Sequence, residues 1–108
     1  MKFHKERLAK LIREELSLQI ARTLEFASAL VTVTTIEFDT NVERAEVNVT
    51  VWPSVKAPAA LKVLNQAAPV LQSTLFKKLK VRSLPKFVFV LDRGFENAAK
   101  VEKALLSE

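Results

Sequence analysis

An alternating segment at residues 45–52 constrains the fold of this chain more than any other part of it. Four apolar residues alternate there with four others and are followed by Pro53; the apolar ones are Ala45, Val47, Val49 and Val51. Because successive side chains of a β-strand point to opposite faces, the pattern predicts a strand with one core face and one polar face. The polar face ends in Trp52, the only tryptophan. Pro53 cannot donate to a sheet ladder, so the strand ends there.

Two stretches have the periodicity of amphipathic helices. The first runs from Lys5 to Phe26, with apolar residues at threes and fours: Leu8, Leu11, Ile12, Leu16, Ile20 and Leu24. The second runs from Pro58 to Lys80, with an apolar stripe of Leu61, Leu64, Leu71, Leu75 and Leu79. Pro69 interrupts it, and a proline ring clashes with the carbonyl four residues back. We therefore expect two helices that meet at a kink made of Ala67, Ala68 and Pro69.

Two further segments are predicted strands. In the segment 30–39 the apolar positions change parity, from Val31 and Val33 to Ile36 and Phe38, which predicts a central strand or a bulge near Thr34 and Thr35. The turn-like residues 40–43 then predict an antiparallel hairpin with the strand at 45–52. The continuous apolar run 87–91 is typical of a strand that is covered on both faces, often beside a parallel neighbour.

The end of the chain predicts one more helix. Asp92 is interpreted as its cap, and the apolar face consists of Phe95, Ala98, Val101 and Leu105. The predicted order is α-β-β-α-kink-α-β-α in a single α+β domain over residues 1–108, with helices packed on one face of a three-stranded sheet.

The composition excludes most catalytic and membrane functions. The chain has one glycine, Gly94, which excludes a Gly-rich phosphate loop, and no cysteine, which excludes disulfides and thiolate zinc sites. With one histidine and no nucleophile–base set, we expect no enzyme, no metal, no cofactor and no small-molecule substrate. The longest apolar runs are about five residues, against the ~20 that a membrane span needs. We expect no signal peptide, no membrane partner and a cytoplasmic location.

The positive charge is concentrated in one third of the chain. Residues 56–91 contain seven basic residues and no acidic one, whereas the rest has ten basic and twelve acidic residues. A one-sided positive field attracts polyanions, and charge alone leaves RNA, DNA and anionic lipid open. The candidate RNA-binding residues of this segment are Lys62, Lys77, Lys78, Lys80, Arg82 and Lys86. The alternative is a solvated helix face that complements the helix dipole.

Five other positions have weaker claims to function. Arg7 and Lys10 of the first helix are further RNA-binding candidates, although nearby glutamates can pair with them, as Glu14 can with Lys10. Trp52 is interpreted as a rim residue rather than a base-stacking one, and Glu37, like Asp39, as solvent-facing.

The order of elements resembles a type II KH domain, and the residues resemble the ribosome-binding factor A family. The resemblance is carried by "RLAKLIREELSLQIARTL", "VTVTTIEFDTNVERAEVNVTV", "LNQAAPVLQSTLFKKLKVRSLPKFVFVLD" and "ENAAKVEKALL" in this order. It implies a non-catalytic assembly factor that binds the immature small ribosomal subunit and its rRNA. It also implies a role in late rRNA processing and in adaptation to cold.

One position departs from the family pattern. The kink of the family reads Ala-x-Gly and replaces the GXXG loop of other KH domains. Ala67 and Ala68 match it, but Pro69 stands where glycine is usual, and proline does not give the close backbone approach that glycine permits.

Two other functions remain open on the residues alone. One is a general single-strand RNA-binding KH module, which would need a GXXG clamp that this sequence lacks. The other is a structural α+β domain that dimerises through its open sheet face, for which Trp52 and the apolar strand 87–91 give some support. Our expectation is a monomer.

Overall fold

The computed structural model describes residues 2–23 and 29–92. Helix α1 runs from Lys2 to Thr23 and buries Ile12, Leu16 and Ile20, the one-sided spacing that the sequence predicted. The helix begins before Lys5, where the sequence predicted its start. Its predicted end at Phe26 lies outside the described residues. Leu11 was expected on the apolar face, but 39% of its surface is exposed, because its position lies at the edge of the buried stripe.

Strands β1 (Leu30–Phe38) and β2 (Arg44–Trp52) form the predicted antiparallel hairpin. Their register shifts between Val33 and Thr35, so the predicted bulge is confirmed. The extra residue turns the apolar side chains after it back to the core face: Val33 lies opposite Val49, and Ile36 opposite Val47. A bulge on an edge strand thus explains the parity change, and β2 is the central strand.

The hairpin turn is closed by Asp39, which we had placed in the strand. Its carboxylate Oδ1 accepts hydrogen bonds from the backbone N–H of Glu43 at 2.7 Å and of Arg44 at 3.1 Å. Val42 takes a positive φ of 56° in this turn. Asp39 is exposed, as predicted, and it also satisfies two backbone donors.

Helix α2 runs without a break from Ala57 to Leu79, with Pro69 inside it, after a short 3-10 turn at Ser54–Lys56. The prediction of two helices that meet at a kink is therefore wrong in the number of helices. A proline costs a helix one hydrogen bond and some strain, and here the core contacts on both sides of Pro69 outweigh that cost. Leu64 and Ala68 before it, and Leu71 and Leu75 after it, all belong to one buried stripe.

Strand β3 (Lys86–Leu91) pairs in parallel with β2, as its apolar sequence suggested. The sheet order is β1-β2-β3, so β3 is an edge strand. Phe87 and Phe89 are buried, whereas Val88 and Val90 on the other face are only half-buried. The predicted cover on both faces is thus incomplete in the described part of the chain.

Two side chains of α2 attach the helix to the third strand and to the loop before it. The amide of Asn65 donates to the carbonyl of Phe89 at 3.1 Å and accepts from its N–H at 2.8 Å. The amide of Gln72 donates to the carbonyls of Leu84 and Pro85, both at 2.9 Å. These bonds fix α2 along the outer edge of β3.

A single core lies between the two helices and one face of the sheet. It is formed by α1, α2 and the inward positions of the strands, including the fully buried Val47, Val49 and Val51. The other sheet face carries the polar residues of β2. The fold is therefore α+β with both described helices on one face. The predicted C-terminal helix at 95–105 lies outside the described residues.

Candidate nucleic-acid interface

The solvent face of α2 carries three of the candidate cations. Lys62, Lys77 and Lys80 are exposed, on the side of α2 away from Leu64, Leu71 and Leu75. Lys80 is the C-cap and adopts a left-handed conformation, with φ of 53°. At a rise of about 1.5 Å per residue, Lys62 and Lys77 lie roughly 22 Å apart along the helix. We call Lys62, Lys77 and Lys80, together with the exposed Arg82 just beyond, the basic helix face.

The kink motif of the family lies in the middle of this helix. Ala68 is buried against the core, Ala67 is half-buried and Pro69 is exposed together with Val70. Pro69 thus faces the same side as the cations, and its ring makes that part of the backbone bulkier than a glycine would. Ala68 has a small side chain that lets the helix lie close to the core.

Lys78 is directed elsewhere. Its Nζ lies 3.5 Å from Oε2 of Glu15 on α1, which makes an ion pair between the two helices. Oε2 of Glu15 is buried and has no hydrogen-bond partner, so Lys78 is the group that offsets its charge. The sequence grouped Lys78 with Lys77 and Lys80, and the structure separates it from them.

The two candidates on α1 lie among carboxylates. Arg7 and Lys10 are exposed and share one surface with Glu6 and Glu14. Lys10 also lines a groove between α1 and β1 with Arg13 and Thr35, among others. The Lys10–Glu14 ion pair that the spacing allows is not formed between these two described residues.

Lys86 lies on the opposite side of the domain from the basic helix face. Along β3 it precedes the buried Phe87 and shares its strand face with Val88, and it pairs with Arg44 of β2 in the sheet register. Arg44 is exposed as well. The candidate Lys86 thus belongs to a second basic pair, and Arg44 is a partner that only the strand register could have revealed.

The open sheet face carries acidic residues on β1 and β2, away from the Arg44–Lys86 pair. Glu37 and Glu46 lie directly opposite each other in the register. With Asp92 and Asn48 they line a shallow depression of about 480 Å³. Like charges across a strand pair repel each other and also repel phosphates, so a polyanion meets the basic helix face more favourably than this part of the sheet face.

Two exposed aromatic residues flank these regions. Trp52 is 49% exposed at the end of β2, opposite Leu30, as expected of a rim residue. Phe76 lies next to Leu75 of the apolar stripe of α2, yet it is 44% exposed. Only the tertiary position of α2 reveals that exposure, so the sequence missed Phe76 as a binding candidate.

The described part of the chain has no other feature that indicates chemistry. Within residues 2–23 and 29–92, no group of His, Asp and Glu side chains could hold a metal ion. No described helix is long and apolar enough to cross a membrane.

The comparisons with known proteins decide the family. The family model described as Ribosome-binding factor A matches residues 4–105. This chain belongs to the ribosome-binding factor A family. It is 34% identical to the Ribosome-binding factor A of Brevibacillus brevis over 101 residues, which cover 92% of this chain and 84% of that relative.

Solved structures of the family share the fold. The crystal structure of ribosome-binding factor A from Thermus thermophilus matches with a TM-score of 0.70 at 21% identity, over 81% of this chain and 93% of that one. A homology model of the Thermus thermophilus protein was fitted into a cryo-EM map of a 30S complex of that protein. It matches with a TM-score of 0.66 at 24% identity, over 77% of this chain and 89% of that one. The KH-like fold of the ribosome-binding factor A structures is therefore also the fold of this chain.

Proposed function

We propose that this chain is a non-enzymatic assembly factor that binds the immature small ribosomal subunit through its rRNA and assists late maturation of that RNA. One observation supports this most strongly: the basic helix face is exposed and free of acidic neighbours in sequence, while Glu37, Glu46 and Asp92 line a depression on the open sheet face. The family relationship supports the ribosome as the partner. A homology model of the Thermus thermophilus relative was fitted into a cryo-EM map of a 30S complex, which supports the small subunit.

The protein acts by holding the rRNA in position and catalyses no reaction. The basic helix face presents Lys62, Lys77, Lys80 and Arg82 to the phosphates of folded rRNA and holds an immature arrangement until later steps displace the protein. Phosphate contacts position a protein and carry little sequence information. Free oligonucleotides should therefore bind weakly, since the recognised object is shaped RNA. Arg7, Lys10, Lys78 and Lys86 remain secondary RNA-binding candidates in this proposal. The factor acts as a cytoplasmic monomer, and its loss should slow rRNA processing most at low temperature.

The first test is co-sedimentation with mature and immature small subunits over a salt series. Each phosphate contact contributes about 0.7 to 0.9 to the slope of log affinity against log salt, so four contacts give a slope of roughly −3. We expect that slope and a preference for immature subunits. Absence of co-sedimentation at low salt would refute the proposal.

A matched pair of variants tests the surface itself. Lys77→Gln with Lys80→Gln should make the slope shallower by about 1.5, because two phosphate contacts are lost. Arg13→Gln with Arg22→Gln removes the same charge from exposed positions of α1 and should leave the slope nearly unchanged. Equal effects of the two double variants would mean that net charge, and not the basic helix face, governs binding.

Dimerisation through the open sheet face is the competing function. Leu30 and Trp52 are 66% and 49% exposed on that face, which favours it. Against it, a second copy would bring two sets of Glu37 and Glu46 together. A mass well above 12.1 kDa on a sizing column would favour the dimer.

A further inference from the structure

Phe76 lines a cavity next to the basic helix face, and the phosphate contacts proposed above do not involve its ring. The cavity lies between α2 and the loop that leads to β3 and has a volume of about 340 Å³. It is lined by Gln72, Ser73, Phe76, Arg82, Ser83 and Leu84. The ring of Phe76 is 44% exposed, so one side of it is accessible to a flat ligand.

The walls of the cavity are fixed before any ligand arrives. The two hydrogen bonds from Gln72 to the carbonyls of Leu84 and Pro85 fasten the loop to the helix. Pro85 is buried, and the left-handed Lys80 turns the chain into the loop. A preorganised site loses little conformational entropy on binding, so a contact with few specific interactions still contributes to affinity.

The groups around the ring suit one part of a nucleic acid. Arg82 lines the cavity, Lys77 follows Phe76 in sequence, and residues 56–91 contain no acidic residue. An accessible aromatic ring offers a stacking platform for an unpaired base. The hydroxyls of Ser73 and Ser83 can donate to or accept from a base edge.

We propose that this cavity binds one unstacked base of a single-stranded segment of RNA, with the base on the ring of Phe76 and a flanking phosphate on Arg82. The proposal rests on the proposed function, since it names the part of the rRNA that this surface takes. An apolar side chain of a protein would fill the same space. It would gain nothing from the surrounding cations, so charge complementarity favours RNA.

Substitutions at Phe76 separate the two occupants. Binding to immature small subunits should weaken about 5- to 150-fold for Phe76→Ala, the equivalent of the ~1–3 kcal/mol that base stacking contributes. Phe76→Leu keeps an apolar side chain but cannot stack, so it should also lose several-fold. Phe76→Trp should retain or strengthen binding. Full affinity of Phe76→Leu would overturn the proposal in favour of an apolar protein contact.

The matched control is Leu18→Ala, which truncates a side chain 46% exposed on α1 and should leave binding unchanged. Urea unfolding of each variant checks that the fold is intact, and the half-exposed position of Phe76 makes a folded Phe76→Leu protein the expected result.

Photocrosslinking gives a readout that a merely structural role would not change. Short-wave ultraviolet light joins stacked bases to aromatic side chains, so the tryptic peptide of residues 63–77 should carry a nucleotide adduct on Phe76. If the unaltered protein binds subunits but the adduct is absent and Phe76→Ala binds normally, this inference fails and the proposed function stands. If the unaltered protein does not bind subunits, both fail.

Discussion

Lys77 and Lys78 are adjacent lysines with different surroundings. Lys77 is exposed on the basic helix face, whereas the Nζ of Lys78 lies 3.5 Å from a buried oxygen of Glu15. A helix turns by about 100° per residue, so residues that are adjacent in sequence lie on different faces of the helix. At the residue scale the two should therefore have different functions, one in binding and one in joining α1 to α2.

The pair Lys77→Met and Lys78→Met tests this difference, since each variant keeps an unbranched apolar side chain and loses the charge. Lys78→Met should lower the free energy of unfolding by about 1 kcal/mol, the upper end for a partly exposed ion pair, because Glu15 is left without its partner. Lys77→Met should leave stability unchanged and make the salt slope of subunit binding shallower by about 0.7 to 0.9. Urea titration and co-sedimentation provide the two measurements, and the reverse assignment would contradict the structure.

Thr34 is the extra residue of the β1 bulge. Its Oγ1 lies 2.6 Å from Oδ2 of Asp92 and 3.1 Å from the carbonyl oxygen of Asn48. Thr34→Val keeps the shape and removes the hydroxyl. It should cost about 1.5 kcal/mol, because hydrogen bonds to charged groups contribute roughly 1.5–3 kcal/mol when buried and this one is only partly buried. Thr34→Ser should retain most of the stability in the same urea titration. Equal losses would assign the effect to packing.

At the scale of elements, α2 is defined by a conflict between sequence and packing. Pro69 removes the N–H that would bond to the carbonyl of Asn65, yet the helix runs through it. The core accounts for this, since the buried stripe continues on both sides. The side chain of Pro69 is exposed, so its role in the protein is not a contact with the core.

Replacing this proline should make the protein more stable. Alanine is roughly 3 kcal/mol more favourable than proline in a helix interior, and glycine about 2 kcal/mol. We expect Pro69→Ala to gain about 1–3 kcal/mol and Pro69→Gly to fold with a smaller gain, both by urea unfolding. A loss of stability in Pro69→Ala would mean that the proline's rigidity is needed. Unchanged stability with weaker subunit binding would assign Pro69 to the interface.

The elements also show what a sequence can and cannot reveal. The alternation of β2, the parity change of β1 and the apolar run of β3 are local patterns, and each predicted its strand correctly. The continuity of α2 and the exposure of Phe76 depend on which face meets the core. Lys86 was grouped with Lys80 by sequence distance, but strand register places it beside Arg44. Local sequence patterns thus predicted the helices and strands. The face on which each charged side chain lies depends on tertiary packing.

At the scale of the whole molecule, a basic surface and an acidic surface lie on different sides of the domain. The basic helix face lies on the helix side, and Glu37, Glu46 and Asp92 line the open sheet face. Such a division orients the domain as it approaches a polyanion and raises the rate of productive encounters. A uniformly charged protein with the same net charge of +5 would lack that orientation.

Neutralising Glu37 and Glu46 tests whether this separation of charge orients the protein as it approaches the subunit. Glu37→Gln with Glu46→Gln should increase the rate of association with subunits at low salt, because less repulsion acts on wrongly oriented encounters. The effect should vanish at high salt, where fields are screened beyond about one Debye length. The salt slope from phosphate contacts should stay the same. A change in dissociation rate instead, measured by stopped flow, would mean that the sheet face contacts the subunit directly.

Asn65 illustrates how one side chain protects the whole fold. An edge strand leaves a row of unpaired N–H and C=O groups, and such a row recruits strands from other molecules. By bonding to both backbone groups of Phe89, Asn65 occupies the middle of the six-residue β3. The same amide that aligns a helix thus also covers one backbone position of an edge strand that another chain would otherwise pair with.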